Sequence, residues 1–262
     1  MSAVSAVLRR IVTVGAVPLA LLAVWWVASA RSTSYYLPPL SKILATFDDV
    51  WFGDRFLADV VPSVLRLLAG FALALLLGVG LGVLIGSSRM VRAFCEPVLE
   101  FLRAIPPPVL VPVLLLFAGI GDTMKVLVIV SGCVWPILLN TVEGVRAVDE
   151  VLSETCRCYR VRGRARLTTL VLRSASPQIM TGVRQALSIG IILMVISEMF
   201  AASNGLGFTI IQFQRSFNVT EMWTGILLLG ILGFVLSLVV RAADRRVLHW
   251  YHGQRRAHPG AR

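Results

Sequence analysis

Charge is what this sequence has least of. Only 15% of its 262 residues are Asp, Glu, Lys or Arg, 57% are apolar and the mean hydropathy is +0.82, whereas a water-soluble domain carries about 25% charged residues. That shortage excludes an ordinary soluble fold. Histidine is scarcer still: His249, His252 and His258 all fall in a basic C-terminal tail, so a His-rich metal centre within the apolar body is excluded. Cys95, Cys133, Cys156 and Cys158 lie in apolar runs or in segments read below as cytosolic, where thiols stay reduced. Cys156-x-Cys158 is half a zinc ligand set, and no metal site is expected. No G-x-x-x-x-G-K-[ST] loop is present, so if ATP drives this protein another chain binds it. Nor do His, Asp and Glu cluster at the spacing a membrane enzyme would need.

Glycine is plentiful without forming a nucleotide loop. Gly78, Gly80, Gly82 and Gly86 miss the G-x-G-x-x-G pattern because position 83 is Val83. They sit inside an apolar run, where Gly78-xxx-Gly82-xxx-Gly86 puts small residues on one helix face and lets a neighbouring helix approach closely. The net charge of +11 does not indicate nucleic acid, because the cations are spread between long apolar runs instead of clustering on one solvated face.

Those runs are the dominant feature. A membrane-spanning helix needs about 20 mainly apolar residues, since every backbone polar group must be paired internally in hydrocarbon. Residues 11–30, 64–86, 126–142, 179–202 and 222–240 qualify, and residues 105–120 form an irregular sixth candidate interrupted by Pro106, Pro107, Pro108 and Pro112. The expected fold is an all-α integral membrane domain of about six spans covering residues 1–262. Of 25 Lys and Arg residues, 18 fall on the cytosolic side if the N-terminus is inside, five fall outside and two, Arg66 and Arg184, lie within spans. This asymmetry puts both termini in the cytoplasm. The first run imitates a signal peptide, but its 20 residues exceed a signal core of about 7–15, and Trp25-Trp26 mark an interfacial belt. It is read as a retained span.

Residues 146–177 form a cytosolic segment too long for a simple hairpin. Leu152, Cys156, Tyr159 and Gly163 recur at i, i+4, i+7 and i+11, which predicts one amphipathic helix. Periodicity alone leaves two readings open, a solvated basic loop or a helix that docks on a cytosolic partner. Among intramembrane polar residues, Ser131, Trp135 and Asn140 on span four and Ser188, Ser197 and Glu198 on span five are candidates to line a solute path. Arg184 and Glu198, about 21 Å apart along a helix, are placed near the two ends of span five, where snorkelling would account for each.

The chain resembles the permease subunits of ABC importers of the nitrate, sulfonate and taurine group from about residue 18 to residue 243. The likeness is carried by Tyr36-Leu37-Pro38-Pro39-Leu40-Ser41, Ser63-Val64-Leu65-Arg66-Leu67-Leu68-Ala69-Gly70-Phe71, Phe101-Leu102-Arg103-Ala104-Ile105-Pro106-Pro107, Phe117-Ala118-Gly119-Ile120-Gly121, Pro136-Ile137-Leu138-Leu139-Asn140-Thr141 and Gly205-Leu206-Gly207, in that order. Such permeases carry a cytosolic E-A-A-x3-G signature, followed by L-P, that docks on the ATPase. Here Glu154-Thr155-Cys156 stands for E-A-A, Arg160 for the glycine, Leu172-Arg173 for L-P, and a later proline falls in register at Pro177.

The resemblance implies a type I importer permease whose coupling residues are Leu152, Glu154, Cys156, Tyr159 and Gly163. It also implies ATPase subunits that hold ATP and Mg, a second permease copy or paralogue, an extracytoplasmic solute-binding protein and a place in the bacterial inner membrane. The chain itself is expected to be no enzyme and to hold no cofactor, and the solute is expected to be an organic or inorganic anion. The alternative class is a secondary transporter or channel subunit, though neither repeated halves nor mid-span carboxylate pathways are evident.

Overall fold

The computed structural model describes residue 16, residues 20–200 and residues 202–251, and among these it contains helices and no strand. A short apolar helix, α1 (Ala20–Ser29), leads to α2 (Leu40–Trp51), α3 (Val61–Ser87), α4 (Arg89–Arg103), α5 (Leu110–Ala118) and α6 (Asp122–Arg146). Then follow α7 (Glu150–Cys158), α8 (Gly163–Arg166), α9 (Leu172–Phe200), α10 (Leu206–Arg215) and α11 (Val219–Val247). Single π-helical turns at Phe56–Val60 and Leu167–Val171 extend α3 and α9 towards their N-termini. Four helical stretches are long and apolar enough to cross a membrane: Phe56–Ser87, Asp122–Arg146, Gly163–Phe200 and Val219–Val247. The bent pair α4–α5 makes a fifth if it counts as one span. The first expected span, residues 11–30, falls mostly outside the described residues.

The core is a three-helix unit. Down α3, Gly70, Gly78, Gly82 and Gly86 meet Ile129, Ile137, Thr141 and Val145 of α6 in the same order, so the two helices run parallel. A Cβ built at Gly78 would lie 2.7 Å from Ile137 Cγ2, and one at Gly82 2.6 Å from Thr141 Cβ. This is the close approach that the small-residue stripe allows. Helix α9 packs antiparallel to both: Gly182 lies on the Pro136 carbonyl and Asn140, while Gly190 lies on Cys133 and Leu67. The buried face of α3 is therefore Ser63, Arg66, Leu67, Gly70, Ala74, Gly78, Gly82 and Ile85. Most of its leucines, Leu65, Leu68, Leu73, Leu76, Leu77, Leu81 and Leu84, point outward. A helix whose large apolar side chains face out and whose small and polar ones face in is built for lipid.

Helix α11 lies against α9 and α10, and α2 rests on α11, where the Trp51 indole donates to Thr224 Oγ1 at 2.9 Å. Trp25 of α1 stacks obliquely on Trp223 at 5.8 Å between ring centroids.

Two expected spans need redrawing. The third, placed at residues 105–120, is a nine-residue α5 of about 14 Å, too short to cross hydrocarbon of about 30 Å. It meets α4 at 71° across the break at Ala104, Ile105 and Pro106. Proline lacks an amide hydrogen and disfavours a helical conformation in the residue before it, so consecutive prolines set the bend. The fifth, placed at residues 179–202, is the upper part of a helical stretch that begins at Gly163, 38 residues long and about 57 Å from end to end.

Candidate functional site

At one end of the bundle polar side chains are paired, most of them buried. Glu198, on the last turn of α9, is fully buried. Its carboxylate accepts from Ser63 Oγ at 2.8 Å, Arg66 Nη1 at 2.8 Å and the Gly207 amide at 3.0 Å. Arg66 is 5% exposed and spends its remaining donors on Asp122 Oδ1 at 2.7 Å and Asn204 Oδ1 at 2.7 Å. Ser63 Oγ also accepts from the Leu206 amide at 2.9 Å, and Asp59 accepts from the Gly205 amide at 3.0 Å. Lys125 Nζ closes the group 3.5 Å from Asp122. Helices α3, α6 and α9 thus meet the start of α10 in one charged knot.

Glycine is required at the turn itself. Gly205 has φ of 120°, and a Cβ there would stand 2.5 Å from the Glu198 carboxyl carbon, so both conformation and space call for hydrogen. Snorkelling, one of the two readings of Glu198, is ruled out by its burial; the carboxylate stays in place because Ser63 and Arg66 of α3 and the Gly207 amide of α10 satisfy it. Arg184 does not snorkel freely either, because its Nη2 pairs with Asp244 Oδ2 at 2.6 Å. Sequence reasoning passed over Ser63, Asp122 and Asn204. The available signal was Arg66, an ionisable residue three positions after a serine in an apolar run.

Midway along the bundle one face carries polar groups in the open. On α9 the exposed positions Thr181, Arg184, Gln185 and Ser188 follow one another at helical spacing. Asn140 of α6 donates to Gln185 Oε1 at 3.4 Å and to the Pro136 carbonyl at 2.8 Å. Beside them, Glu100, Arg103, Trp135, Asn140 and Gln185 line a cleft of about 500 Å³. Of the six path candidates, Trp135, Asn140 and Ser188 belong to this face or its cleft. Ser131 is half-buried and bonds its hydroxyl to the Val128 carbonyl, and Ser197 is buried and bonds to the Met194 carbonyl. Ser197 and Glu198 are packed inside the bundle, away from the open face.

The cytosolic segment is not one helix. Asp149 caps α7 by accepting from the Leu152 amide at 2.9 Å. The helix closes with the Val161 amide on the Cys156 carbonyl at 2.8 Å and the Arg160 amide on the Arg157 carbonyl at 3.0 Å. That double closure requires a left-handed residue between them, and Arg160 supplies it at φ 55°. Arg160, the position matched to the signature's glycine, thus adopts a conformation that glycine enters more readily than any other residue. Gly163 therefore opens a separate helix, and the i, i+11 spacing from Leu152 does not put the two on one face. Val151, Leu152 and Tyr159 are solvent-exposed apolar side chains, Tyr159 at 79%. Glu154 is exposed among them, and Cys156 is half-buried.

These features define a helical permease that needs partners, with a tied end, an open polar flank and an unpartnered apolar loop. The chain belongs to the family described as binding-protein-dependent transport system inner membrane component, whose sequence model matches residues 74–249. It is a permease subunit of an ABC importer and not an enzyme. It is 33% identical over 242 residues to the taurine transport system permease protein TauC of Escherichia coli (strain K12), covering 89% of this chain and 87% of that one. With SsuC of Bacillus subtilis (strain 168), named as a candidate aliphatic sulfonates transport permease, it shares 27% over 235 residues, covering 89% and 85%. The fold matches a chain of the inward-facing MetNI methionine ABC transporter with a TM-score of 0.55 at 20% identity, over 71% of this chain and 91% of that one. This is the type I importer fold.

Proposed function

We propose that this permease carries a small organic anion of the sulfonate class across the inner membrane, in a complex with ATPase subunits that hold ATP and Mg, a second permease and an extracytoplasmic binding protein. The observation that carries the reading is the open face of α9. Polar side chains facing hydrocarbon are costly, yet Arg184, Gln185 and Ser188 are exposed in succession on a helix that must cross it. The cost disappears if the face lines an aqueous path between two permease copies, where Arg184, held by Asp244 through Nη2, offers its remaining guanidinium donors and Asn140, Gln185 and Ser188 supply neutral hydrogen bonds. The substrates for which the two relatives are named, taurine and aliphatic sulfonates, agree with that chemistry. Family membership gives no support to a secondary transporter or channel.

In this reading the Glu198 end faces outward and the α7 end inward, with both termini cytoplasmic, as the arginine asymmetry requires. Exposed Val151, Leu152 and Tyr159, with Glu154 between them, form the ATPase-docking surface, and Cys156 and Gly163 support it from beneath and behind. ATP closes the ATPase pair, α7 moves with it, and the spans rock between inward-open and outward-open states.

Reconstitution with the neighbouring ATPase and binding protein tests the function. ATP-dependent uptake of radiolabelled taurine or an alkanesulfonate is expected, and Arg184→Gln should cut it about tenfold, the loss of one charge-assisted contact. Uptake that needs no ATP, or that admits only neutral solutes, would overturn the proposal. A Ser41→Cys variant, with the native cysteines replaced by serine, tests the orientation: an impermeant thiol reagent should label it from outside intact cells.

A further inference from the structure

At the end of the bundle opposite Glu198, four arginines converge on one cleft. It holds about 850 Å³ and is lined by Arg89 and Arg92 of α4, Arg146 at the end of α6, and Arg166 of α8, with Ser153 of α7 on its rim. Among the described residues no acidic one lines it. Arg146 is paired with Glu143 at 2.7 Å. Among the described residues Arg89, Arg92 and Arg166 have no carboxylate partner. Arg166 bonds Ser153 Oγ through Nη2 at 3.0 Å, while its Nε is buried without a partner. Topology accounts for arginines on this side of the membrane. It does not account for three guanidinium groups from two separate helices, Arg89 and Arg92 of α4 and Arg166 of α8, sharing one concave site with no carboxylate partner among the described residues, where they repel one another.

We infer that this cleft binds a tetrahedral oxyanion, a phosphate, sulfate or sulfonate group, held by the guanidinium groups of Arg89, Arg92 and Arg166. Planar guanidinium forks match such oxygens in pairs, and among the described residues no carboxylate competes for Arg89, Arg92 or Arg166. Leu170 and Val171 give the cleft an apolar floor, which suits an anion that carries a carbon chain. The group has two sources: the phosphodiester of an anionic lipid in the adjoining leaflet, or a free anion from the surrounding water. Because Arg166 also holds Ser153, and hence α7, an occupied site stiffens the segment proposed to dock the ATPase. The binding claim does not depend on the proposed transport function.

The full-length chain purified in detergent serves for the test. Radiolabelled sulfate, added at low ionic strength to delipidated protein, reports a free-anion site; phosphatidylglycerol retained in native mass spectrometry reports a lipid site. Saturable binding of either probe at one per chain is expected, weakened by at least about tenfold in the Arg92→Gln, Arg166→Gln variant. The Arg157→Gln, Arg164→Gln variant removes the same charge from the same end without touching the cleft and should bind as the parent does. Should the first variant fail to fold, Arg89→Gln, at an exposed position, is expected to weaken binding about threefold. Binding of neither probe, or an equal loss in the Arg157, Arg164 control, would refute the site.

Discussion

The two ends of this bundle solve the problem of charge in opposite ways. At the Glu198 end, Glu198, Arg66 and Lys125 are drawn inside and the charges are matched group by group: Glu198 with Arg66 and Ser63, and the exposed Asp122 with Arg66 and Lys125. At the other end, arginines line a cleft with no acid among the described residues, and α7 presents bare apolar side chains. A buried charge is tolerated only when its partners are fixed, so the first end behaves as a rigid knot. The second is incomplete by itself, with donors and apolar surface that await something else. Stability belongs to the first end, and coupling is the role proposed for the second.

The largest effect tests the knot. Removing one member of a buried pair leaves the other uncompensated at a cost of about 3–5 kcal/mol, so Glu198→Leu and Arg66→Met are each expected to lower unfolding stability by that order. The double variant should recover a large share, because it removes both charges. Thermal or denaturant unfolding of the purified chain measures this; single variants within about 0.5 kcal/mol of the parent would mean that the pair is ornamental. Glu198→Gln keeps the shape and separates charge from packing.

Next in size is the seam between helices. A Cβ at Gly182 would lie 2.5 Å from the Pro136 carbonyl oxygen, a backbone atom that cannot swing away. Gly182→Ala should therefore cost about 1–3 kcal/mol as overpacking does. Nothing lies within 4 Å of a Cβ built at Gly80, and Gly80→Ala should be neutral or gain up to about 1 kcal/mol from helix propensity. If the two glycines respond alike, close packing does not govern the seam.

The difference between these two glycines marks how far the sequence could be read. Apolar runs located α3 and α6 to within a few residues and α11 except for its last seven, and the small-residue stripe of α3 identified its packing face. They failed at α4 and α5, where four prolines break the pattern, and below residue 179, where arginines on an otherwise helical stretch resemble a loop. The Glu198 partners were out of reach because Ser63 and Arg66 lie more than 130 residues away in sequence, and periodicity carries no information on such pairing. Of the path candidates, Asn140 and Ser188 emerged on the open face because their neighbours in the helix are polar too. Ser197 did not, because one polar residue says nothing about which way its helix turns.

A smaller effect, and of opposite sign, is expected at Arg160. Its left-handed conformation at φ 55° costs a non-glycine residue roughly 1–2 kcal/mol, so Arg160→Gly should stabilise the end of α7 by about 1 kcal/mol. Slower hydrogen exchange at the Tyr159, Arg160 and Val161 amides would report it; faster exchange would mean that the arginine side chain contributes more than its backbone loses.

The smallest effect on stability falls where the largest on function is expected. Leu152, Glu154 and Tyr159 are exposed, and the side chains of Glu154 and Tyr159 hold no hydrogen bond or ion pair among the described residues. Substitutions at such positions change stability by no more than about 0.5 kcal/mol. The Glu154→Arg, Tyr159→Ala variant should therefore unfold as the parent does, reach the membrane and still fail to couple. Stimulation of ATP hydrolysis by the loaded binding protein should fall about tenfold, the loss expected when a central aromatic and a charge are removed from a docking surface. A normal unfolding curve combined with lost stimulation would place coupling at this end and stability at the other. Full stimulation in the variant would move the docking surface off α7, while a destabilised variant would show that α7 is packed into the bundle and not offered to a partner.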